Sequence, residues 1–491
     1  MKRFLLCVIL FLPYFTNAQD YGALPLIPKA DLLRDLDLLY QGLDQYHTGM
    51  YWYSSKDSVQ QQFENARLAI DQDLNVLQFH KLIAPLIALS NEDHTDIFLP
   101  ETVADFAQKN AVYFPLSVVY LGDRLYCVKD GSGLDTNHKG QEILSINGGT
   151  PTELAEKLGS LFSSDGYIQQ VKKSDLEGFA FSRYWYFYFG NQAEFSVQFA
   201  AQDTPVILPG LKRSDIAKHL EKQAAPNQKS PKRELLEFTL LQDSIAYLGI
   251  HTFGNDRYKN NTIHKKLKPF LAESFKTIHD QNIQYLIIDV SENGGGSEGN
   301  DNLLYSYLGD NYQKYHKVKA NRQKLTLDNG IDPPITLKTF GLLERVFGNK
   351  KMPDGSYERK KKVGFGLMAF KKKPRYPFTG DLYVIISPVT YSGVSEFSNM
   401  IRTQQLGIFV GQETGGGYYG NTSGYGAELT LPNSQITVDI PALQFIMKVE
   451  PISPFGRGVL PDHELIPTIE QYLNEESVAI DFILQLIDSD K

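Results

Sequence analysis

The chain has 491 residues, of which 42% are hydrophobic, 12% aromatic and 22% charged. This length predicts about two to four domains. The apolar content excludes a disordered chain, because enough surface can be buried to offset the entropy lost on ordering. Two cysteines exclude a disulfide scaffold and a thiolate zinc cluster, and the formal net charge of −8 argues against nucleic-acid binding by the chain as a whole.

The N-terminus has the pattern of a secretory signal peptide. Lys2 and Arg3 precede a nearly unbroken apolar run over Phe4–Phe15, and Thr16-Asn17-Ala18 offers small residues at the cleavage positions. The run is too short to span a membrane, and no later apolar run reaches about 18 residues. We therefore predict that residues 1–18 are removed, that no integral membrane segment remains, and that the mature protein is periplasmic or secreted.

The next two regions differ in their hydrophobic pattern. Apolar residues recur three or four positions apart from Asp31 to about Leu89, so residues 19–110 are predicted to form a helical domain. Residues 111–205 are predicted to form a β module, because short apolar runs are bounded by turn signals such as Asn147-Gly148.

From about Glu234, strands alternate with helical stretches, which is typical of an α/β domain. We predict this core over 234–475 and a C-terminal helix over 476–491. Residues 317–375 hold sixteen Lys and Arg against five Asp and Glu and show weak periodicity. They are predicted to be a solvated loop inserted between two core strands. The clearest core strands are Ile245–Ile250, Tyr285–Val290, Leu382–Ile386 and Ile408–Val410.

Three segments carry residues with catalytic chemistry. The first reads Thr390-Tyr391-Ser392-Gly393, directly after the strand Leu382–Ile386 and before a predicted helix. A serine at such a turn exposes its hydroxyl at the positive end of the helix dipole, where free N–H groups can hold an oxyanion. This segment alone favours a simpler N-capping serine, because no GxSxG motif is present.

The second segment follows Tyr285–Val290 and contains three consecutive glycines, residues 294–296. Gly294, Gly296 and Gly299 have the spacing of a dinucleotide-binding loop, but no acid closes the next strand about 20 residues further on. Consecutive glycines let a backbone approach a substrate closely and point N–H groups at it. An oxyanion donor and a plain glycine turn are equally compatible with this segment.

The third segment, Asn91–Asp96, holds His94 among several carboxylates at the end of the helical region. A general base, a metal ligand and a capped helix end are all compatible with it, although no HExxH or paired-histidine spacing supports a metal. His47 has the same ambiguity with fewer acids nearby.

Taken together, the three segments resemble the tail-specific proteases, which are C-terminal processing peptidases whose catalytic domain is shared with the tricorn core. The shared order is Asp-x-x-x-Asn-Gly-Gly-Gly, then Thr-x-Ser, then Gly-x-x-Thr-Gly-Gly over Gly411–Gly416. Asp93-His94-Thr95 is similar to the family's Asp-Gly-His-Thr. Gly140–Gly148 resembles a strand of its PDZ-like domain, and Gly456–Asp462 resembles its closing segment.

The resemblance implies a multi-domain α/β fold. It comprises a helical N-terminal region ending in the His94 segment, a PDZ-like domain over 111–205 and a ClpP/crotonase-like protease core. It also implies Ser392 as the nucleophile, with the N–H groups of Gly393 and Gly295 forming the oxyanion hole.

The resemblance to the tricorn-like branch also implies the base. Bacterial members use a Ser-Lys pair, but the corresponding place here, Gly415–Gly417, holds no lysine. A serine hydroxyl needs some base. The tricorn-like arrangement assigns that role to His94, with Glu450 as the acid that orients the imidazole.

Other positions depart from the family pattern. Ser291 replaces the usual arginine of the Asp-x-Arg-x-Asn strand, and Glu396 lies four residues after the nucleophile, so Ser395 is a second candidate nucleophile. Glu413 and Asp462 are the alternative acids.

The sequence therefore predicts a periplasmic or secreted serine endopeptidase that hydrolyses extended polypeptides and uses no metal or organic cofactor. Its partner is the polypeptide substrate, which the PDZ-like module could dock by its C-terminus, and no nucleic acid is expected. Two alternatives stay open. One is a catalytically inactive, protease-like scaffold that binds peptides of the cell envelope, and the other is an ester or lactam hydrolase with the same triad.

Overall fold

The computed structural model describes residues 21–223, 234–260, 266–321, 348–353, 356–360, 368–370 and 372–489. The predicted signal peptide, residues 1–18, lies outside these ranges. Within them, no helix is both long enough and apolar enough to cross a membrane. The described residues form a mixed helix-and-sheet fold, as the sequence predicts.

Helices dominate residues 21–110, and their buried stripe is the predicted one: Leu32, Leu36, Leu39 and Leu43 are buried on the first helix. A capping box of Asn75 and Gln78 begins the third helix. The helices are α1 (Lys29–Tyr46), α2 (Lys56–Ala69), α3 (Val76–Ala88) and α4 (Glu101–Asn110), and the short strands between them are β1 (Leu26–Ile27), β2 (Leu74–Asn75) and β3 (Ile97–Phe98).

The predicted β module contains a five-stranded antiparallel sheet whose strands follow chain order. Asn147 and Gly148 have positive φ, as a tight turn requires. The strands are β4 (Leu116–Leu121), β5 (Arg124–Asp130), β6 (Glu142–Ile146), β7 (Glu194–Phe199) and β8 (Val206–Pro209). The accompanying helices are α5 (Pro151–Gly159), α6 (Gln170–Asp175), α7 (Phe179–Phe189) and α8 (Arg213–Gln223).

The core region holds two sheets. Its strands are β9 (Leu236–Gln242), β10 (Ile245–Ile250), β11 (Tyr285–Asp289), β12 (Tyr315–Ala320), β13 (Asn349–Lys351), β14 (Tyr357–Arg359), β15 (Asp381–Ile386), β16 (Ile408–Gly411), β17 (Gly420–Thr430), β18 (Thr437–Met447) and β19 (His463–Glu464). Its helices are α9 (Leu267–Asp280), α10 (Asn300–Tyr305), α11 (Gly393–Thr403), α12 (Ile469–Leu473) and α13 (Val478–Ser489). The four predicted core strands are confirmed to within one residue at each end.

The first core sheet runs in the order β19-β16-β15-β11-β10-β9, with every neighbouring pair parallel except β10 and β9. Strands β11 and β15 are direct neighbours, with Asp289 opposite Ile385. The carboxyl ends of parallel strands lie at the same edge of a sheet, where α/β proteins usually place their ligand sites. The glycine segment after β11 therefore meets the Ser392 segment after β15.

The second core sheet corrects the prediction of a loop over 317–375. Part of that range lies outside the described residues, but its beginning continues β12, which pairs antiparallel with β18, and β13 and β14 extend the same sheet. Val318 and Ala320 are buried and alternate with lysines, a period of two that indicates a half-buried strand. The high charge of the segment obscured this short alternation.

The long hairpin of β17 and β18 joins the core to the N-terminal helices. Leu429 and Val438 of the hairpin are buried in the same apolar cluster as Leu36 and Leu39. Asp35 is also buried there, and its carboxylate accepts N–H bonds from Asn433 and Ser434, at 3.1 and 2.7 Å, at the tip of the hairpin. The helical region is thereby held against the core rather than standing apart from it.

Candidate active site

Ser392 lies at the junction between the strand β15 and the helix α11, in a strained backbone conformation with φ 52° and ψ −129°. Left-handed φ values are uncommon for residues other than glycine and cluster at functional sites. The carbonyl of Ser392 accepts bonds from the Ser395 hydroxyl at 2.7 Å and the Glu396 N–H at 3.1 Å. Within the described residues, its own hydroxyl makes no hydrogen bond, so that oxygen is available for chemistry.

The glycine segment lies directly against this serine. A Cβ atom placed on Gly295, whose φ is +92°, would come 2.8 Å from the Ser392 Cβ and 3.1 Å from the Gly393 nitrogen. A glycine is therefore required at this approach. The Gly393 N–H donates no hydrogen bond within the described part of the chain, as an oxyanion donor should.

The Gly295 N–H corrects one expectation. It donates to Asn293 Oδ1 at 2.8 Å, so it is not free to bind an oxyanion in this conformation. Asn293 is itself fixed, because its Nδ2 donates to the Ile250 carbonyl at 2.9 Å and its carbonyl accepts the Tyr391 N–H at 3.2 Å. The predicted residue is adjacent to the nucleophile, but a local Asn turn takes up its N–H group.

His94 lies in the loop between α3 and β3, with its ring centroid 6.2 Å from the ring of Tyr391, the residue before Ser392. Its Nδ1 is buried, and among the residues that the structure describes it has no hydrogen-bond partner. The loop is anchored through Thr95, whose hydroxyl pairs with His47 Nε2 at 2.7 Å and whose carbonyl accepts the Ser163 hydroxyl at 3.0 Å. His47 is thus part of the scaffold, and burial lowers its pKa to about 3.

Asp165 is a site residue that the sequence did not indicate. It is 1% exposed, and its Oδ1 accepts the Asp93 N–H at 3.0 Å while its Oδ2 accepts the Gly417 N–H at 3.1 Å. It lies in the loop between α5 and α6 and interacts electrostatically with His94. The plain sequence Ser163-Ser164-Asp165-Gly166 carries no recognised catalytic pattern, so sequence reasoning missed it.

The surroundings of His94 are strongly acidic. Burial, reinforced by the charge of Asp165, raises the pKa of Glu92 and of Asp93 well above their usual range. Glu92 Oε2 still accepts the N–H and hydroxyl of Thr422, at 2.7 and 2.9 Å. The buried Tyr391 hydroxyl interacts with the charges of Asp93 and Asp165. Among the described residues it makes no hydrogen bond of ordinary geometry.

The structure does not bring the predicted acid to His94. Glu450 is exposed, and within the described residues its hydrogen bonds involve its backbone: its N–H donates to Thr403 Oγ1 at 2.7 Å and its carbonyl accepts the Tyr418 hydroxyl at 3.0 Å. A solvent-exposed carboxylate without contact to the imidazole cannot fix its orientation in this conformation.

The alternative residues have structural partners as well. Glu413 holds Arg457 through two bonds, of 2.8 and 2.5 Å, and Asp462 accepts bonds from Arg402 and from the Phe409 N–H, at 2.8 and 2.7 Å. Ser395 is buried, and its hydroxyl donates to the Ser392 carbonyl, so it acts as a local cap for the nucleophile turn.

A buried ion cluster lies beneath α11. Glu396, four residues after Ser392, pairs with Lys314 at 2.6 Å and accepts bonds from the Tyr315 hydroxyl at 2.6 Å and Asn421 Nδ2 at 3.2 Å. Lys314 also pairs with Asp301. Burial disfavours the lysine charge, but the charges of Asp301 and Glu396 outweigh burial and hold the pKa of Lys314 well above its usual value.

An aromatic cluster with an exposed edge lies next to the site. Tyr53 contacts Trp52, Tyr167 and Phe455, with ring centroids 5.1, 5.7 and 5.1 Å away. Phe455 is 47% exposed and Tyr167 is 49% exposed. The Tyr53 hydroxyl lies 3.7 Å from the position of a Cβ on Gly417, so the aromatic cluster of Trp52, Tyr53, Tyr167 and Phe455 adjoins the loop that Asp165 holds.

Comparison with known proteins shows which family the region around this site is similar to. Residues 244–463, a little under half of the chain, match the family described as Peptidase family S41. No curated protein matches the sequence. The chain therefore carries the catalytic domain of a serine-type peptidase. Residues 244–463 are similar to the S41 peptidases, in line with the tail-specific protease motifs that this region contains.

Solved structures of CPAF share the fold over most of the chain. Mature CPAF in complex with lactacystin matches with a TM-score of 0.57 at 17% identity, over 94% of this chain and 99% of that chain. Mature CPAF alone gives a TM-score of 0.58 at 17% identity, over 94% and 98%. The photosystem II D1 C-terminal processing protease aligns at 14% identity over 91% of this chain and 97% of that chain, with a TM-score of 0.38. The CPAF likeness supports a multi-domain α/β protease fold.

Proposed function

We propose that this serine peptidase is an endopeptidase of extended polypeptides, with Ser392 as its nucleophile and His94 as its general base. The observation that carries the proposal is the convergence of three distant segments. The strained Ser392 turn lies against Gly295, and the loop of His94 packs beside Tyr391. Strain at an unbonded serine and a buried imidazole nitrogen without a partner are features of a reactive site.

The proposed reaction follows from these positions. The Ser392 oxygen attacks the scissile carbonyl carbon while His94 takes its proton, and the oxyanion that forms is held by the Gly393 N–H at the start of α11. Breakage of the C–N bond then releases the amine, which receives the proton from His94. A water molecule, deprotonated by the same imidazole, then attacks the acyl carbon. The ester C–O bond breaks, and the Ser392 oxygen receives the proton back from His94. Gly295 contributes a second donor if its N–H gives up its bond to Asn293 Oδ1 and donates to the oxyanion instead.

The aromatic cluster supports a polypeptide substrate. Exposed aromatic side chains offer large apolar contact surfaces at little entropic cost, and these adjoin the glycine loop next to Ser392. We propose that the cluster receives apolar side chains of the substrate. Docking of a substrate C-terminus at the sheet of β4–β8 is a further part of this proposal.

The proposed location is outside the cytoplasm. It is supported by the signal-peptide pattern of residues 1–18. Fractionation of expressing cells, with the N-terminus of the purified protein sequenced, tests it. A mature N-terminus at Gln19 is expected, whereas an intact Met1 in the cytoplasmic fraction contradicts it.

The test of the activity is cleavage of unfolded casein by the mature chain, with products identified by mass spectrometry. Ser392→Ala and His94→Ala should abolish cleavage while leaving the circular dichroism spectrum unchanged. The matched control is Ser395→Ala, three residues further along the same helix, which should retain turnover. A fluorophosphonate probe should label the wild type at Ser392.

Other outcomes would reassign the function. Cleavage that persists in Ser392→Ala but vanishes in Ser395→Ala would move the nucleophile. Casein binding without turnover by any variant would indicate an inactive, peptide-binding scaffold. Turnover of activated esters but not of casein would indicate a small-ester hydrolase.

A further inference from the structure

We infer that Asp165 is the positioning residue of this site: its buried carboxylate fixes the His94 loop against the glycine loop beside Ser392 and supplies the negative charge that the imidazole needs. The inference rests on the proposed function, because it assumes that His94 and Ser392 react together. Asp165 acts on the His94 loop through backbone N–H groups and through its charge, whereas the family resemblance implies that Glu450 orients the imidazole itself.

The hydrogen bonds of Asp165 connect the loops that carry the reacting groups. One carboxylate oxygen accepts the N–H of Asp93, the residue before His94, at 3.0 Å, and the other accepts the N–H of Gly417 at 3.1 Å. The Asn91 carbonyl accepts the Gly166 N–H at 2.8 Å, and the Thr95 carbonyl accepts the Ser163 hydroxyl at 3.0 Å. The two loops are therefore joined on both sides of Asp165.

The glycine loop transmits this position to the nucleophile. A Cβ atom on Gly416, next to Gly417, would lie 3.3 Å from the Ser392 nitrogen and 2.1 Å from Ser395 Oγ. The backbone at Gly416 is therefore packed against the first turn of α11. A displacement of Asp165 would change the position of His94 relative to Ser392.

The charge of Asp165 acts on His94 as well. Burial raises the pKa of Asp165, while the neighbouring His94 and the N–H groups of Asp93 and Gly417 oppose that rise. Because both oxygens accept N–H bonds, the ionised carboxylate fits this position. An adjacent carboxylate stabilises the imidazolium that forms during acylation. The groups that face Asp165 are Glu92, Asp93 and His94 from the loop before β3, Tyr53 from the loop after α1, and Tyr391 from the turn after β15.

The test compares Asp165→Asn with the wild type on a fluorogenic peptide taken from a mapped casein cut, from about pH 5 to about pH 9. Asparagine keeps an acceptor for Asp93 but loses the charge and turns an amide towards Gly417. We expect kcat to fall on the order of 10²–10⁴-fold. The acidic limb of kcat/KM should move to lower pH by about one unit, because loss of an anion disfavours the protonated imidazole.

A matched control separates this effect from general destabilisation. Asp130 is also buried and also accepts several bonds, from the Ser132 N–H at 2.9 Å and from the His138 N–H and ring at 3.0 and 2.7 Å, but it lies in the β module away from Ser392. Asp130→Asn should leave the acidic limb in place. If Asp165→Asn does not fold, Asp165→Glu is the variant to use, because it retains the charge. It should lower kcat without moving the acidic limb of the kcat/KM profile. A shift of that limb in Asp165→Glu would overturn the inference.

Two results would reject the role of Asp165. One is an acidic limb that Asp165→Asn leaves unmoved, and the other is a larger shift in Glu450→Gln than in Asp165→Asn. These failures differ from failure of the proposed function. Normal turnover by His94→Ala would refute the base itself, whereas an inactive His94→Ala beside an unperturbed Asp165→Asn would refute only the inference about Asp165.

Discussion

The buried ion cluster beneath α11 allows a stability prediction to be developed from its geometry. In the variant Lys314→Met, a side chain of similar length would replace a lysine that is 1% exposed and pairs with both Asp301 and Glu396. The two carboxylates would stay buried. Asp301 would retain the Gly299 N–H at 3.1 Å, and Glu396 would retain Tyr315 and Asn421.

The expected loss is about 3–5 kcal/mol in the free energy of unfolding, since removal of one partner leaves an uncompensated buried charge. The remaining hydrogen bonds satisfy the oxygens but supply no cation. The carboxylates of the variant should hold protons more tightly in the folded state than in the unfolded state. The loss should therefore be smaller near pH 5 and grow as the pH rises.

The assay is urea unfolding followed by circular dichroism at about pH 5 and about pH 8. The control is Lys373→Met, which removes an exposed pair with Asp310 at 2.6 Å and should cost less than about 1 kcal/mol. A Lys314→Met protein within about 1 kcal/mol of the wild type at pH 8 would refute the reasoning, because the two acids would then not depend on this lysine for their charge.

Three further predictions concern the site and the β module. Gly295→Ala should lower kcat by at least about 10²-fold in the casein assay, because the new Cβ would lie 2.8 Å from the Ser392 Cβ. The control Gly294→Ala should keep its activity, because its Cβ would meet nothing within 4 Å. Phe455→Ala should raise KM for peptides with apolar side chains by roughly 10-fold at similar kcat. The control Leu240→Ala, which truncates an exposed side chain on β9, should leave KM unchanged. An unchanged KM in Phe455→Ala would contradict substrate binding at the aromatic cluster. Burial, with a smaller contribution from Asp175, raises the pKa of Glu177 to about 8. The unfolded state then binds fewer protons than the folded state between about pH 4.5 and pH 8. Glu177→Gln should therefore match the wild type in urea unfolding near pH 5 and be more stable by roughly 4 kcal/mol near pH 8, at about 1.4 kcal/mol per pKa unit. Equal stabilities at pH 8 would argue against the raised pKa of Glu177.

Much of the fold was predictable because its signals are local. The strands β10, β11, β15 and β16 are apolar runs bounded by turns, and each was found within one residue of its predicted ends. Strand β12 was missed because its three buried residues, Tyr315, Val318 and Ala320, are interspersed with His316 and lysines. Pairing with β18 makes this segment a strand.

By itself, the sequence determined which segments could react. Ser392 after one parallel strand and Gly295 after its neighbour are brought together by the rule that such strands end at the same sheet edge. The position of the His94 loop was decided only by the tertiary structure. Asp165 is 72 residues from Asp93 and 252 residues from Gly417, and it joins them because two loops are packed against the core. A sequence pattern cannot indicate contacts between residues so far apart in the chain. Glu450, which the family pattern suggested, is exposed to solvent instead.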